Sequence, residues 1–286
     1  MGKKISALTK TTHSILRGVG QIMLQENAAT GIFFLVGIFY GSPTMGIAAL
    51  VAASCGTLTA KILRYQSAEI QKGLYGFSAA LVGVGLIFYF QAVAVVWIWI
   101  VGGSAVATIL QHFFIRKNIP VFTLPFVLVT WGIIFLLTAY GVAPSDFLES
   151  KQAGPKDFGF VVRGYGQVIF QGRLVSGLIF FIGVFINSPV SALYGITASL
   201  VAAMLAGWLY MPHEAVNLGL FGYNAVLCAI VLGSHKVQSG LWVLLSIVLA
   251  VGIGILMHRY QLVQLTFPFV AATFLTLALR NRFAYS

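Results

Sequence analysis

The strongest constraint on this chain is a series of ten apolar stretches of about membrane-span length, separated by short polar turns. They cover residues 19–40, 45–63, 73–90, 93–111 and 121–140, then 165–186, 190–210, 218–233, 241–257 and 265–279. A helix needs about 20 apolar residues to cross a bilayer, so the 286 residues divide into spans and loops with no stretch left over for a soluble domain. Charge agrees. Only 8% of the residues are charged, against roughly 25% in a soluble domain, too few to coat a water-facing surface. A soluble enzyme, a disordered chain and a secreted disulfide scaffold are excluded. The expected fold class is an all-α polytopic membrane protein, because only helices and closed barrels satisfy their backbone in lipid.

The net charge of +11 would suggest nucleic acid in a soluble protein. Here the basic residues lie between apolar stretches, where they set topology instead. With the N-terminus in the cytoplasm and all ten stretches crossing, the cytoplasmic side receives Lys3, Lys4, Lys10, Arg17, Lys61, Arg64, Lys72, Arg116, Lys117, Lys236, Arg280 and Arg282. The outer side receives Lys151, Lys156, Arg163 and Arg259, and Arg173 falls within a span. Both termini are therefore expected in the cytoplasm. Cys55 and Cys228 lie in apolar runs and read as small buried hydrophobes. No metal-ligand spacing is present, no cofactor is implied, and no cleavable signal peptide is evident. The expected organisation is an N-terminal tail (1–18), a first repeat of five spans (19–140), a polar linker (141–163), a second repeat of five (164–280) and a short tail (281–286).

The two halves repeat each other at an offset of 146. Arg17-Gly18-Val19-Gly20-Gln21 aligns with Arg163-Gly164-Tyr165-Gly166-Gln167, and identities continue through Gln25 and Gln171, Gly31 and Gly177, to Ser42-Pro43 and Ser188-Pro189. Of 27 ungapped positions 11 are identical, where this composition gives about two or three by chance. Gly73-Leu74-Tyr75-Gly76-Phe77 meets Gly219-Leu220-Phe221-Gly222-Tyr223 at the same offset. After a deletion of three, Pro125-Phe126 meets Pro268-Phe269, and Thr130 meets Thr273. An odd number of spans per repeat inserts the second half upside down, the arrangement in which transporters build a path between the repeats near the midplane. The Gly-rich and Pro-Phe motifs interrupt their stretches, and broken backbone at membrane depth survives only inside protein or against a water-filled cavity. They read as broken or re-entrant elements beside a pore. Ordinary kinks and tight helix packing are the plainer alternative.

At 217–224, at 267–273, at 17–21 and from Leu124 to Thr130, the sequence resembles the urea transporter family, in the right order over nearly the whole chain. The resemblance implies five spans per half plus a re-entrant helix pair between the halves. It implies a homotrimer with one urea-selective pore per protomer. The short termini resemble a bacterial member, and so a protein of the inner membrane. Carried over position by position, it nominates Gln21 and Gln167 as a polar pair at the pore, Leu24 and Phe170 as wall positions one turn on, Phe77 and Tyr223 as aromatic walls with Leu81 and Leu227 a turn further, and Thr130 and Thr273 at the constriction. Leu24 stands where an aromatic is frequent and Ser78 where an asparagine is common, and Lys72 is unusual so close to its motif.

These residue types suit urea, a flat, neutral solute with four N–H donors and one carbonyl. Taking it from water without partners costs several kcal/mol. Apolar walls can sandwich its faces while amide, hydroxyl and backbone oxygens accept its N–H groups, and a slot without a ring of charge rejects ions. Each nomination has a plainer alternative: the glutamines as helix-end residues, the aromatics as core or lipid-facing side chains, the threonines bonded back to their own helices. The chain shows no HExxH, P-loop or GxSxG, and its histidines lie in the tail or near segment ends. It is not expected to be an enzyme. Passive, channel-type urea transport is the leading reading. A proton-coupled secondary transporter, with Glu26 the nearest carboxylate, and an ammonia or short-amide channel on the same fold are the alternatives. Glu69 and Glu214 carry no assigned role.

Overall fold

In the computed structural model, residues 2–120, 122–149 and 158–284 are described. The first half contains α1 (Gly2–Gly20), a 3-10 turn (Gln21–Met23), α2 (Ala28–Gly41), α3 (Pro43–Ile62), α4 (Ser67–Gln71), α5 (Phe77–Tyr89), α6 (Ala94–Arg116), α7 (Leu124–Ala139) and α8 (Asp146–Glu149). The second half contains α9 (Phe160–Gln167), α10 (Leu174–Asn187), α11 (Pro189–Trp208), α12 (His213–Asn217), α13 (Tyr223–Leu232), α14 (Val237–Arg259) and α15 (Phe267–Ala284). The fold is all-α. The chain divides into two compact units, Met1–Lys151 and Gln152–Ser286, with the division inside the polar linker.

Each unit is built the same way. Shifted by 146, the bounds of α2, α3 and α4 become those of α10, α11 and α12; shifted by 143, those of α6 become those of α14. Even the unusual backbone repeats. Leu24, Arg64, Gly73, Asn118 and Phe122 have positive φ, and so do Phe170, Tyr210, Gly219, Gln261 and Leu265 at the matching positions. In the first unit α5 packs against α3, α6 and α7, and in the second α13 packs against α11, α14 and α15. The α3–α5 and α11–α13 seams are made of small side chains, Ala48, Ala52, Ala79 and Ala80 in one and Ala198, Ala202, Ala225 and Ala229 in the other, all fully buried. Lipid offers apolar helices no hydrophobic reason to associate, so close packing of small residues does that work. The outward sides of the long helices carry large apolar groups such as Ile98 and Leu256, exposed as lipid-facing side chains are.

Among the described residues the apolar helices are of two lengths. Four helices, α3, α6, α11 and α14, are long and apolar enough to cross a membrane, or five spans if the pair Leu8–Met23 and Ala28–Gly41, bent by 73°, counts as one. Stretch 19–40 starts at that break, and 165–186 is broken likewise between α9 and α10. Stretches 73–90 and 218–233 contract to α5 and α13, of 13 and 10 residues. At about 1.5 Å per residue, neither spans a hydrocarbon core about 30 Å thick. The cause is local. Gly73 and Gly219 turn the chain at φ +80° and +76°, conformations glycine adopts without strain. The sidedness count assumed ten crossings, and Lys151, Lys156, Pro155 and Val121 lie outside the described residues. The expected tail, 1–18, is helical from Gly2 onward as part of α1; Arg173 sits at the N-cap of α10 in the break, not within a span.

The breaks are braced. Asn27 Oδ1 caps α2 by accepting from Ala29 N and Thr30 N at 2.8 and 3.3 Å. Ser42 ends α2 and caps α3 by accepting from Met45 N, with Pro43 at the first turn. Gln25 and Gln171, both buried, donate across their breaks to Met23 O and Ile169 O. After the break α2 crosses α1 at backbone distance: a Cβ on Gly31 would lie 1.9 Å from Leu16 O, and one on Gly177 2.2 Å from Val162 O. At one point the units differ. Asn224 Oδ1 accepts from Phe269 N at 3.1 Å, tying α13 to the start of α15. Ser78 holds that position in the first unit, and its hydroxyl is buried with no hydrogen-bond partner.

Two outcomes follow for thermal unfolding in detergent. Gly31→Ala and Gly177→Ala should each lower the midpoint sharply, whereas Gly102→Ala and Gly252→Ala, with open space beside them, should leave it unchanged or gain the about 0.5–1 kcal/mol that alanine brings to a helix. Asn224→Ser should cost about 0.5–1.5 kcal/mol for the lost hydrogen bond, and Ser78→Asn should shift the midpoint in the opposite direction.

Candidate functional site

In the first unit, the end of α1 meets the end of α4 through two parallel donations. Arg17 Nη1 donates to Gln71 O at 3.0 Å and Gln21 Nε2 to Lys72 O at 3.0 Å. The last carbonyls of a helix have no partner within it, and Arg17 near the end of α1 and Gln21 in the 3-10 turn that follows reach two consecutive ones. The second unit does the same, with Arg163 Nη1 on Asn217 O at 3.0 Å and Gln167 Nε2 on Leu218 O at 2.9 Å. Glycine makes the approach possible. A Cβ on Gly73 would lie 2.4 Å from Gly18 N, and one on Gly219 2.6 Å from Gly164 N. The RGxGQ and GLxG motifs are thus two sides of one backbone contact, so the tight packing given as the plainer reading is present along with the break.

This contact orients the glutamine amides. One N–H of each amide is committed to a carbonyl, which fixes the amide and leaves its oxygen, which only accepts, and its second N–H to face elsewhere. One turn on, Leu24 and Phe170 are partly buried and share the same left-handed backbone, φ 57° at both. That region is uncommon for side chains with a Cβ and marks held strain. Phe77 is buried at the first residue of α5; Tyr223 opens α13 and donates its hydroxyl to Leu265 O at 2.7 Å. Leu81 and Leu227, one turn further, are fully buried. Thr130 on α7 and Thr273 on α15 are also fully buried. Thr130 Oγ1 has no hydrogen-bond partner, while Thr273 Oγ1 donates to Cys228 Sγ at 3.5 Å. Neither hydroxyl bonds back to its own helix, unlike that of Thr276, which donates to Ala272 O. Each unit thus carries an amide oxygen, a pair of apolar side chains on a half-length helix, and a buried threonine at the matched position. None of the ten nominated residues is charged.

Sequence reasoning missed a polar cluster found in the first unit. Tyr75 donates to Glu69 Oε2 at 2.5 Å and meets His112 Nδ1 at 2.8 Å. Arg116 Nε donates to His112 Nε2 at 3.3 Å, and the Tyr65 ring stacks on the imidazole at 3.5 Å. Gln66, in the orientation that satisfies its amide, donates to Glu69 Oε1 and accepts from Arg116. Burial first, and then the Glu69 carboxylate, raise the Tyr75 hydroxyl well above the usual tyrosine range, so it stays a donor. With that proton on Glu69, the imidazole proton lies on Nδ1. Phe221 and Ile255 stand at the positions of Tyr75 and His112 in the second unit; that loss of symmetry was the available signal. Glu69 is therefore a packing partner of α6, while Glu26 and Glu214 are exposed. Among the described residues no group of three His, Cys, Asp or Glu side chains could hold a metal.

Comparison with known proteins agrees with these motifs. The family model described as urea transporter matches residues 12–281. Urea transporter 1 of Ovis aries is 27% identical over 297 residues, covering 94% of this chain and 77% of its own length. Urea transporter 1 of Mus musculus is 27% identical over 246 residues, covering 77% of this chain and 62% of its own. These relatives are transporters and not enzymes. A family match that takes in both units, from α1 into α15, means that the chain belongs to the urea transporter family.

Proposed function

We propose that the chain conducts urea passively across a membrane, each unit contributing an equivalent set of residues to the path. The observation that carries this reading is the orientation of Gln21 and Gln167, whose amide nitrogens are bound to Lys72 O and Leu218 O. Their oxygens are left as acceptors for a solute rich in N–H groups. Leu24, Phe77 and Leu81, with Phe170, Tyr223 and Leu227, supply apolar wall for the flat faces of urea. Thr130 and Thr273 supply uncharged hydroxyls, and backbone carbonyls of the broken segments extend the row of acceptors. A path of this kind replaces part of urea's hydration without a fixed charge, offering a small ion too little to leave water. Weak sites in series also let the solute leave as readily as it enters.

The reading extends to a homotrimer in a bacterial inner membrane with both termini cytoplasmic. Support for the sidedness comes from the distribution of Lys and Arg, and support for the assembly from the family. Coupling to protons would need a titratable group in the path. The nominated set has no carboxylate, histidine or lysine, and Glu26, the nearest carboxylate by sequence, is exposed in the break between α1 and α2.

Urea flux into proteoliposomes of the purified protein should be equal in both directions under mirrored gradients and indifferent to a proton ionophore. Uphill accumulation driven by a pH gradient would replace the channel with a coupled transporter. Ammonia or acetamide flux exceeding that of urea would reassign the solute. Thr130→Val and Thr273→Val keep the side-chain shape and remove the hydroxyl. A hydrogen bond lost at the barrier costs about 0.5–1.5 kcal/mol, so each should slow urea about two- to twelvefold with assembly unchanged. Wild-type flux in both would make the hydroxyls structural.

A further inference from the structure

A cleft of about 270 Å³ opens along one face of α1 and reaches the end of α4, lined by Thr9, Lys10, His13, Ser14, Arg17 and Gln71. Positions 10, 13, 14 and 17 fall on one side of the helix by their spacing. Three of the lining side chains are basic, two carry hydroxyls, and none is acidic. The nearest acid in sequence to Gln71 is Glu69, and its carboxylate is engaged by Tyr75 and Gln66 on the side of α6. Residues 2–20 contain no Asp or Glu at all. The Arg17 guanidinium retains unused donors: Nη1 is on Gln71 O, and Nε is buried with no hydrogen-bond partner.

The repeat explains Arg17 and leaves the rest of the cleft unexplained. Arg163 repeats the carbonyl contact of Arg17 in the second unit. Lys156, outside the described residues, stands where Lys10 stands, whereas Gly159 and Phe160 stand where His13 and Ser14 stand, so the imidazole and the second hydroxyl of the cleft are particular to the first unit. Lys10 and His13 are exposed and hold no helix in place. The Ser14 hydroxyl already donates to Lys10 O at 2.9 Å. The exposed Lys10 and His13 and the remaining donors of Arg17, with no acid in the lining, match the chemistry of a phosphate group. Its oxygens accept from Arg, Lys, imidazolium and hydroxyl donors in charge-assisted bonds.

We propose that this cleft binds a phosphate group, either the headgroup phosphate of an anionic phospholipid or inorganic phosphate from solution. The site adjoins the Arg17–Gln71 and Gln21–Lys72 contacts, so an occupant fastens the first-unit junction that its second-unit counterpart closes unaided. The proposal is independent of which solute the chain conducts.

The test titrates the full-length protein, purified in neutral detergent, and follows the thermal unfolding midpoint. One arm adds phosphatidylglycerol against phosphatidylcholine at equal mole fraction. The other adds sodium phosphate against sodium chloride at equal ionic strength. The double variant Lys10→Gln/His13→Gln is compared with His235→Gln/Lys236→Gln, which removes the same residue types from an exposed turn of the second unit. Wild type should be stabilised by one of the two anions beyond its control, and the arm that responds identifies the source. The first double variant should bind about fivefold more weakly per basic side chain removed, and the second should bind as wild type does. Lys10→Arg, which retains the charge, should keep the affinity, so a folding defect in the double variant does not decide the matter. No stabilisation in either arm, or equal affinity in wild type and Lys10→Gln/His13→Gln, overturns the proposal.

Discussion

Two stretches of backbone touch in each unit, and the rest of the local architecture is arranged around that contact. The end of α1 lies against the turn after α4, with Gly18 and Gly73 leaving no room for a Cβ, and the end of α9 lies in the same way against the turn after α12. A contact this close sets helix-end carbonyls, which have no partner within their own helix, directly beside the neighbouring helix end. Arg17 and Gln21, or Arg163 and Gln167, satisfy them. The same constraint shortens α5 and α13, because the chain must first turn at Gly73 or Gly219 before a helix can begin at Phe77 or Tyr223. Half-length helices, oriented amides and apolar residues at the helix starts are consequences of one packing decision made twice.

Much of this was legible in the sequence because the repeat marks it. Matching glycines at 18, 31 and 73 with 164, 177 and 219 meant that backbone geometry, and not side-chain chemistry alone, was being preserved. Hydropathy was a poorer guide. It carried the stretches 73–90 and 218–233 through as spans, since Leu74, Tyr75 and Leu220 are apolar whether they lie in a helix or in a turn. It also assigned residues 1–18 to a tail, because their Lys and Thr content hides a helix that packs on α2. What carried no signal was the use made of each polar group. Nothing in the one-dimensional pattern distinguishes Gln21, which bonds to a neighbouring helix end, from Gln25, which braces its own break.

The units also differ, and the differences are concentrated in the first. Ser78 stands where the second unit has Asn224, Val82 where it has Cys228, Tyr75 and His112 where it has Phe221 and Ile255, and His13 and Ser14 of the basic cleft where it has Gly159 and Phe160. A path for a passive neutral solute has no need of strict symmetry. It needs acceptors, walls and the absence of charge at matched depths. The ten nominated residues are uncharged in both units, although Leu24 and Phe170, and Phe77 and Tyr223, differ between them.

The central claim is that the glutamine amides are held by their nitrogens so that their oxygens serve the solute. Stopped-flow urea flux through Gln21→Met and Gln167→Met tests it most directly, because methionine keeps the length of the side chain and removes both amide groups. The account predicts a drop of about two- to twelvefold in each, from the loss of about 0.5–1.5 kcal/mol of hydrogen bonding, and a larger drop in the double variant, with the protein still folded. Wild-type flux through a folded double variant would contradict it.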